Sequence, residues 1–366
     1  MAYCITAPAH LPDLVRRTFS KARSSGDLSY YPTKVAVLNV GNVPFQLRFS
    51  PSLANKPKAP TGQHPPSDPF CYTTASASPL FVTDIGPTHY LVLNKFCIVP
   101  EHFILATTAL RQQTHVLEPA DIAAAWACII AYEPANSQEN TDKSDPPQQE
   151  MDIKADPNNK QGDNGLFVFF NSGPESGASQ PHRHIQLLPI TAMYDGLDYS
   201  HPRWNVLANS QSVHNTLPFT CFSEPISSPD DAYAAYLRLY RRACDAVTAH
   251  KGQSLGSSMN KIHSDASISL QKTNANHESL TSCPARISYN MAMTNRSILL
   301  CPRLSEGATL AMADSCTPHA VNVAFNGTLL AGALLAKSEI EWNILRNDPT
   351  LLGQTLSKIG VPKKQL

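Results

Sequence analysis

Two histidines and a glutamine alternate in the segment His182-Arg183-His184-Ile185-Gln186. On a strand, residues two apart share a face. Imidazole, imidazole and carboxamide would then stand in a row, with Arg183, Ile185 and Leu187 on the opposite side. Neutral imidazole is a good nucleophile near neutral pH and forms covalent intermediates. Just upstream, Asn171-Ser172-Gly173-Pro174-Glu175-Ser176-Gly177-Ala178-Ser179-Gln180 reads as a polar loop. Its glycines allow backbone N–H groups and hydroxyls to approach an anion closely. An imidazole beside an anion cradle suits attack on phosphorus, giving a phosphoramidate and expelling a nucleotide or pyrophosphate. Such leaving groups are weak bases, so positioning and charge stabilisation matter more than a strong general acid. The competing reading is a zinc site, but no CxxC pair and no third ligand lie close to the two histidines.

The surrounding pattern supplies strands to hold this row. Runs rich in strand-forming residues make 35–39, 43–49, 90–96, 103–107, 165–171, 182–190, 286–294 and 297–302 the candidate strands. Helices are predicted over 11–23, 119–132, 230–249 and 338–347. The second opens with Pro119 and repeats Ile122, Trp126, Ile129 and Ile130 on one face. Short links between neighbouring strands point to an α/β (α+β) fold, with a largely antiparallel central sheet flanked by helices. Residues 135–164 and 252–283 are crowded with Asn, Gln, Ser, Asp and Lys and lack periodic apolar positions. They read as polar, dispensable insertions without packed structure.

The chain of 366 residues is long enough for a large core without disulfide staples. Two regions are expected within one compact unit. Residues 1–215 would carry the histidine motif, and residues 216–366 would complete the pocket. Lys and Arg together number 29, as do Asp and Glu, so the formal net charge is zero. That balance argues against broad nucleic-acid or membrane-surface binding. Nine scattered cysteines suggest a reducing compartment, the cytoplasm with the nucleus as the second choice. Residues 11–19 are too polar for a secretory h-region, and no apolar run is long and unbroken enough to span a bilayer.

The string Gly177-Ala178-Ser179-Gln180-Pro181-His182-Arg183-His184-Ile185-Gln186 resembles the signature of the ATP adenylyltransferases, also called diadenosine tetraphosphate phosphorylases. This family belongs to the histidine-triad superfamily, alongside galactose-1-phosphate uridylyltransferase. Further pieces occur in the family's order: Ser25-Gly26-Asp27-Leu28, the stretch 43–49, Lys56-Pro57, Asp68-Pro69-Phe70, the stretch 89–96, the stretch 288–294, Pro302-Arg303 and the stretch 321–327. The resemblance implies a histidine-triad-like fold and a catalytic set of His184, His182 and Gln186. His184 would be the nucleophile. The backbone carbonyl of His182 would hold the nucleophile's other nitrogen, and Gln186 would donate to the α-phosphate. Lys56, Asn94 and Lys95 would reach phosphates or nucleoside, and Asn171 with Gly177, Ala178, Ser179 and Gln180 would cradle phosphate. Asn290, Ala292 and Thr294, which share a strand face, would line the nucleotide pocket.

Glutamine at 186, where hydrolases of the superfamily usually carry a third histidine, implies transfer to an anion in preference to water. Orthophosphate as acceptor gives diadenosine tetraphosphate + phosphate → ADP + ATP, and sulfate would be a poor alternative. The resemblance implies a monomer acting on nucleotides and phosphate, with no protein-held metal and no tightly bound cofactor. A divalent cation such as Mg²⁺ would arrive with the nucleotide. The alternatives are a uridylyltransferase-like sugar-nucleotide enzyme, a dinucleoside polyphosphate hydrolase, and a non-catalytic nucleotide- or zinc-binding module.

Overall fold

A computed structural model describes residues 5–54, 68–134, 165–197, 204–210, 216–258, 283–311 and 320–363. In chain order the strands are β1 Ser29–Tyr30, β2 Lys34–Val40, β3 Val43–Phe49, β4 Phe81–Ile85, β5 His89–Leu93, β6 Phe96–Cys97, β7 Phe103–Thr107, β8 Leu166–Ser172, β9 His184–Pro189, β10 Phe222–Pro225, β11 Ser288–Met293, β12 Ser297–Arg303, β13 Gly307–Ala311, β14 Ala320–Ala324 and β15 Ala333–Ala336. The helices are α1 Leu11–Ser25, α2 Pro51–Ala54, α3 Tyr72–Ala75, α4 Pro119–Ala131, α5 Pro229–Ser258, α6 Glu339–Asn347 and α7 Pro349–Ile359. No helix among the described residues is long and apolar enough to cross a membrane.

An eight-stranded sheet in the order β10-β12-β11-β8-β9-β7-β5-β4 forms the centre, and every neighbouring pair in it is antiparallel. This is the mixed α/β architecture expected from the strand spacing. The alternation along each strand divides the two faces. Val168 and Phe170, Ile185 and Leu187, and Tyr289, Met291 and Met293 point to one side, under α1, α4 and α5. Phe167 and Phe169, Leu188 and Ala292 point to the other, against β3, β15, α6 and α7. On that second face lies a smaller apolar cluster of Phe70, Tyr90, Val92, Ile104 and Ala106. His184 and Gln186 are opposite Ala106 and Ile104. The polar row therefore runs between two apolar patches that keep water from its flanks.

Several boundaries differ from the sequence expectation. The strand expected over 90–96 stops at Leu93, because the Asn94 side chain accepts the Phe96 N–H at 3.1 Å and turns the chain there, although the Asn94 N–H still reaches the His102 carbonyl at 2.9 Å. His182 lies before β9 and makes only an isolated bridge with Gln112. The insertion at 135–164 lies outside the described residues. Of the second insertion, residues 252–258 are helical, continuing α5, and residues 259–282 lie outside the described residues.

Candidate active site

At its N-terminal end β9 parts from β8. Their ladder runs from Leu166↔Pro189 to Phe169↔Gln186 and goes no further. The Gln113 side chain fills the gap. Its carboxamide accepts from His184 N–H at 2.8 Å and donates to the carbonyls of Asn171 at 2.8 Å and His184 at 3.2 Å. A buried side chain thus replaces the missing strand contacts, as buried backbone groups require. The same splay opens the sheet where the loop between β8 and β9 must reach the histidines.

His184 is buried and pinned on two sides. Its Nδ1–H donates to the carbonyl of His182 at 2.8 Å, so in the neutral ring the lone pair lies on Nε2. Phe70 stacks on the ring face with centroids 4.8 Å apart, which leaves the in-plane lone pair uncovered by that contact. Burial, offset in part by the bond to His182 and reinforced by the His182 ring, pushes His184 down to about 4. The ring is therefore uncharged and nucleophilic at neutral pH.

His182 is engaged at both ring nitrogens. Nδ1 meets Asp68 Oδ2 at 2.7 Å, and Nε2 meets the Thr107 carbonyl at 2.8 Å. Asp68 Oδ1 in turn accepts the Phe70 N–H at 2.9 Å. Both ring nitrogens are taken up by oxygen atoms of the protein itself, so neither is directed at an open metal position, which weighs against the zinc reading. Behind the row, on the other face, Arg183 donates to Asp121 at 2.7 Å, and Asp121 meets His89 Nε2 at 2.9 Å. Burial alone would raise Asp121, but the His89 hydrogen bond and the Arg183 charge outweigh it and hold its carboxyl below the usual range.

Beside Gln186, two residues along the strand from His184, a pocket of about 240 Å³ opens on the site face. Gln186, Asn94, His102, Asn326, Lys337 and the acidic Glu306 are among its polar lining, and Phe96, Ile98, Phe169, Leu188 and Leu334 among its apolar lining. The Gly173–Gln180 loop is shaped by a short 3₁₀ turn, Pro174–Ser176, ended by Gly177 at φ +78°. A Cβ at Gly177 would lie 2.9 Å from Asn326 Cβ, so a glycine is required on grounds of both space and backbone.

The expected ligands sort into three groups. Gln186, Asn94 and Gly177 line one pocket, and His184 and His182 adjoin Gln186 along the chain without forming part of its wall. Ala178 and Gln180 are partly exposed and Ser179 is exposed on the loop that follows. Lys56 lies outside the described residues. A third group is placed otherwise. Lys95 is exposed with its Nζ 5.8 Å from the Phe96 ring centroid, and it is not part of the pocket wall. Asn171 Oδ1 accepts from Asn290 Nδ2 at 2.9 Å and from Gly327 N–H at 2.8 Å. Asn290 also donates to the Ser176 carbonyl at 2.9 Å and accepts from Arg303. These two asparagines brace the loop from within and do not face the pocket. Ala292 is buried opposite Phe169, and Thr294 closes the β11–β12 turn through a bond from its N–H to Ser297 O. Their strand face is thus core and turn, not pocket wall. Gln113, His102 and Phe70 were not singled out from the sequence. The roles of Gln113 and His102 depend on distant partners, and Phe70 was noted only within Asp68-Pro69-Phe70.

Comparison with known proteins covers nearly the whole chain. Residues 2–136 and 149–202 match the profile described as the Ap4A phosphorylase N-terminal domain. Residues 215–362 match the ATP adenylyltransferase C-terminal domain. Two Saccharomyces cerevisiae proteins are similar in sequence. Protein APA1 is 23% identical across 98% of this chain and 96% of its own length. Diadenosine 5',5'''-P1,P4-tetraphosphate phosphorylase 2 is 27% identical across 87% of this chain and 84% of its own. The crystal structure of yeast Ap4A phosphorylase Apa2 superposes with a TM-score of 0.61 at 21% identity, covering 97% of this chain and 98% of that one. The same protein in complex with Ap4A gives 0.61 at 20% identity, with the same coverage.

Proposed function

The chain belongs to the Ap4A phosphorylase family with its ATP adenylyltransferase C-terminal domain, and from that we infer that His184 carries an adenylyl group between diadenosine tetraphosphate and phosphate. The enzyme is a nucleotidyltransferase, and its reaction is diadenosine tetraphosphate + phosphate → ADP + ATP. The observation that carries the assignment of His184 is its tautomer. The bond from Nδ1–H to His182 O leaves the Nε2 electron pair for phosphorus, on the strand face that Gln186 shares.

The steps balance as two displacements. His184 Nε2 forms a bond to the α-phosphorus while the bond to the bridging oxygen breaks, and ATP leaves with that electron pair. An oxygen of orthophosphate then attacks the same phosphorus. The N–P bond breaks, the pair returns to Nε2, and ADP leaves. Gln186 would donate to a non-bridging oxygen, and the loop through Gly177 would approach the phosphates closely. The apolar wall around Phe96, Ile98 and Leu334 suits an adenine ring. Sharing one pocket between the half-reactions gives ping-pong kinetics.

A divalent cation such as Mg²⁺ would come with the polyphosphate as part of the substrate, and no resident cofactor is needed for these steps. The balanced charge supports a protein acting on nucleotides without nucleic acid and the scattered cysteines a reducing compartment, the cytoplasm or nucleus, while the monomer is proposed on the family resemblance alone. The test is chromatography of the products formed from diadenosine tetraphosphate. ADP and ATP that depend strictly on added phosphate are expected. AMP and ATP formed at the same rate without phosphate would make the enzyme a hydrolase. Turnover of a sugar nucleotide in their place would favour the uridylyltransferase reading.

A further inference from the structure

His102 takes no part in the steps above, yet its ring is set as carefully as those of the two motif histidines. The Phe96 N–H donates to Asn94 Oδ1 at 3.1 Å. That turns the Asn94 amide nitrogen towards His102 Nδ1, 3.0 Å away. An amide N–H only donates, so Nδ1 is the acceptor and the ring proton sits on Nε2. Burial, with a smaller opposing contribution from Gln186 and a reinforcing one from His184, pushes His102 down to about 4, so the ring keeps this single-proton form at neutral pH.

The proton on Nε2 has a destination one strand away. Nε2 is buried and has no hydrogen-bond partner in good geometry among the described residues. Leaving such a donor unmet is costly. Gln186 shares the pocket with His102. It stands on the same sheet face, because Ile104 lies opposite Gln186 and His102 comes two residues before Ile104. A carboxamide has an accepting end and a donating end, and which end faces the phosphate decides what it can do.

We propose that His102 is a positioning residue for Gln186: its Nε2–H takes the carboxamide oxygen and so turns the carboxamide N–H groups towards the α-phosphate. The chain from the Phe96 backbone through Asn94 and His102 to Gln186 then runs from donor to acceptor in a consistent sense. With its oxygen tied back, Gln186 stabilises the transferring phosphoryl group but cannot accept from, and so orient, an attacking water. The relay therefore favours phosphate over water as acceptor. This inference rests on the phosphorolysis reading for its consequence, and on the ring tautomer for its mechanism.

The experiment reads both. In the full-length protein, side-chain ¹⁵N NMR should show the Nε2–H tautomer at the imidazole whose signal disappears in His102→Gln. His102→Leu removes the donor and should lower phosphorolysis about two- to tenfold, the worth of one hydrogen bond. It should also raise the share of AMP over ADP among the products. His102→Gln, which can present an N–H at that place, should restore much of the parent product ratio. Asn94→Asp is nearly isosteric but can only accept. It forces the proton onto Nδ1, reverses the relay and should shift the ratio the same way as His102→Leu. The product ratio is read per turnover, so partial loss of folded protein does not disguise it. An Nδ1–H tautomer in the parent protein overturns the proposal, as does an unchanged ratio in His102→Leu and Asn94→Asp. A parent enzyme that needs no phosphate would instead sink the phosphorolysis reading, leaving the tautomer measurement to judge the relay alone.

Discussion

His184 is neutral because it is buried, and the consequence can be read in a pH profile. Its folded value of about 4 lies below the ordinary 6.5. The neutral form is therefore favoured by the fold. That contribution to stability is complete above about pH 6.5 and is lost as the pH falls towards 4. For kcat/KM with diadenosine tetraphosphate, the acid limb should accordingly begin well below the ordinary imidazole range. A break at 6.5 would mean that the nucleophile is a solvated histidine elsewhere. His184→Ala should abolish turnover while circular dichroism stays unchanged, and acid-labile, base-stable label from an α-labelled nucleotide should map to His184. Label on His182 would reverse the assignment. Gln113 gives a second residue-scale prediction. Gln113→Leu leaves three buried backbone groups without partners, each worth on the order of 1–3 kcal/mol. A drop in Tm accompanied by a larger loss in kcat than in KM is expected, and a neutral variant would refute the positioning role. The row of His182, His184 and Gln186 was legible because alternation within one strand is local. Gln113 and Asp68 were not, because they reach the histidines across 71 and 114 residues of sequence. No periodicity encodes such a closure.

At the scale of elements, the loop between β8 and β9 is held by contacts that leave no room for change. Gly177 sits at φ +78°, with the Phe325 carbonyl 3.0 Å and Asn326 Cβ 2.9 Å from where a Cβ would be. Gly177→Ala is expected to cost about 1–3 kcal/mol of stability and to raise KM for the dinucleotide, measured by steady-state kinetics. An unchanged KM would mean that the loop does not touch phosphate. The longer elements, such as α1, α4, β3 and β8, announce themselves in sequence by an apolar period or run and by flanking proline or glycine. The shorter ones do not. β10 and β15 have four residues each, too few for a pattern, and β15 hides in an apolar run with no break. The strand expected over 90–96 ends early because Asn94 and Lys95 interrupt only after the apolar stretch ends, where the Asn94 side chain closes a turn onto the Phe96 N–H.

The whole molecule is tied together across the sheet by the charges behind the site. Asp121 lies on α4, Arg183 beside the nucleophile and His89 on β5, and all three are buried. Removing the acidic member leaves the buried guanidinium with only its longer 3.3 Å pairing to Glu118, so Asp121→Asn should destabilise by up to about 3–5 kcal/mol, seen as a lower denaturation midpoint. Because the folded carboxyl lies below its ordinary range, the stability it contributes is present above that range and lost as the pH falls through the folded value. A variant as stable as the parent would show that the cluster is incidental. The order of strands in the central sheet has a further consequence, for the way the chain is made. β8 lies between β9 and β11, and the Asn171–Asn290 bond spans 119 residues. On a ribosome, the nucleophile strand is out and paired long before β11 exists, and one side of β8 stays open as an unmatched edge through that interval. Residues 1–215 produced alone should therefore carry the histidine motif and yet aggregate, while co-production with residues 216–366 should recover soluble, active protein. In the living cell this nascent edge is where a chaperone would have to stand guard until the last three strands of the sheet arrive.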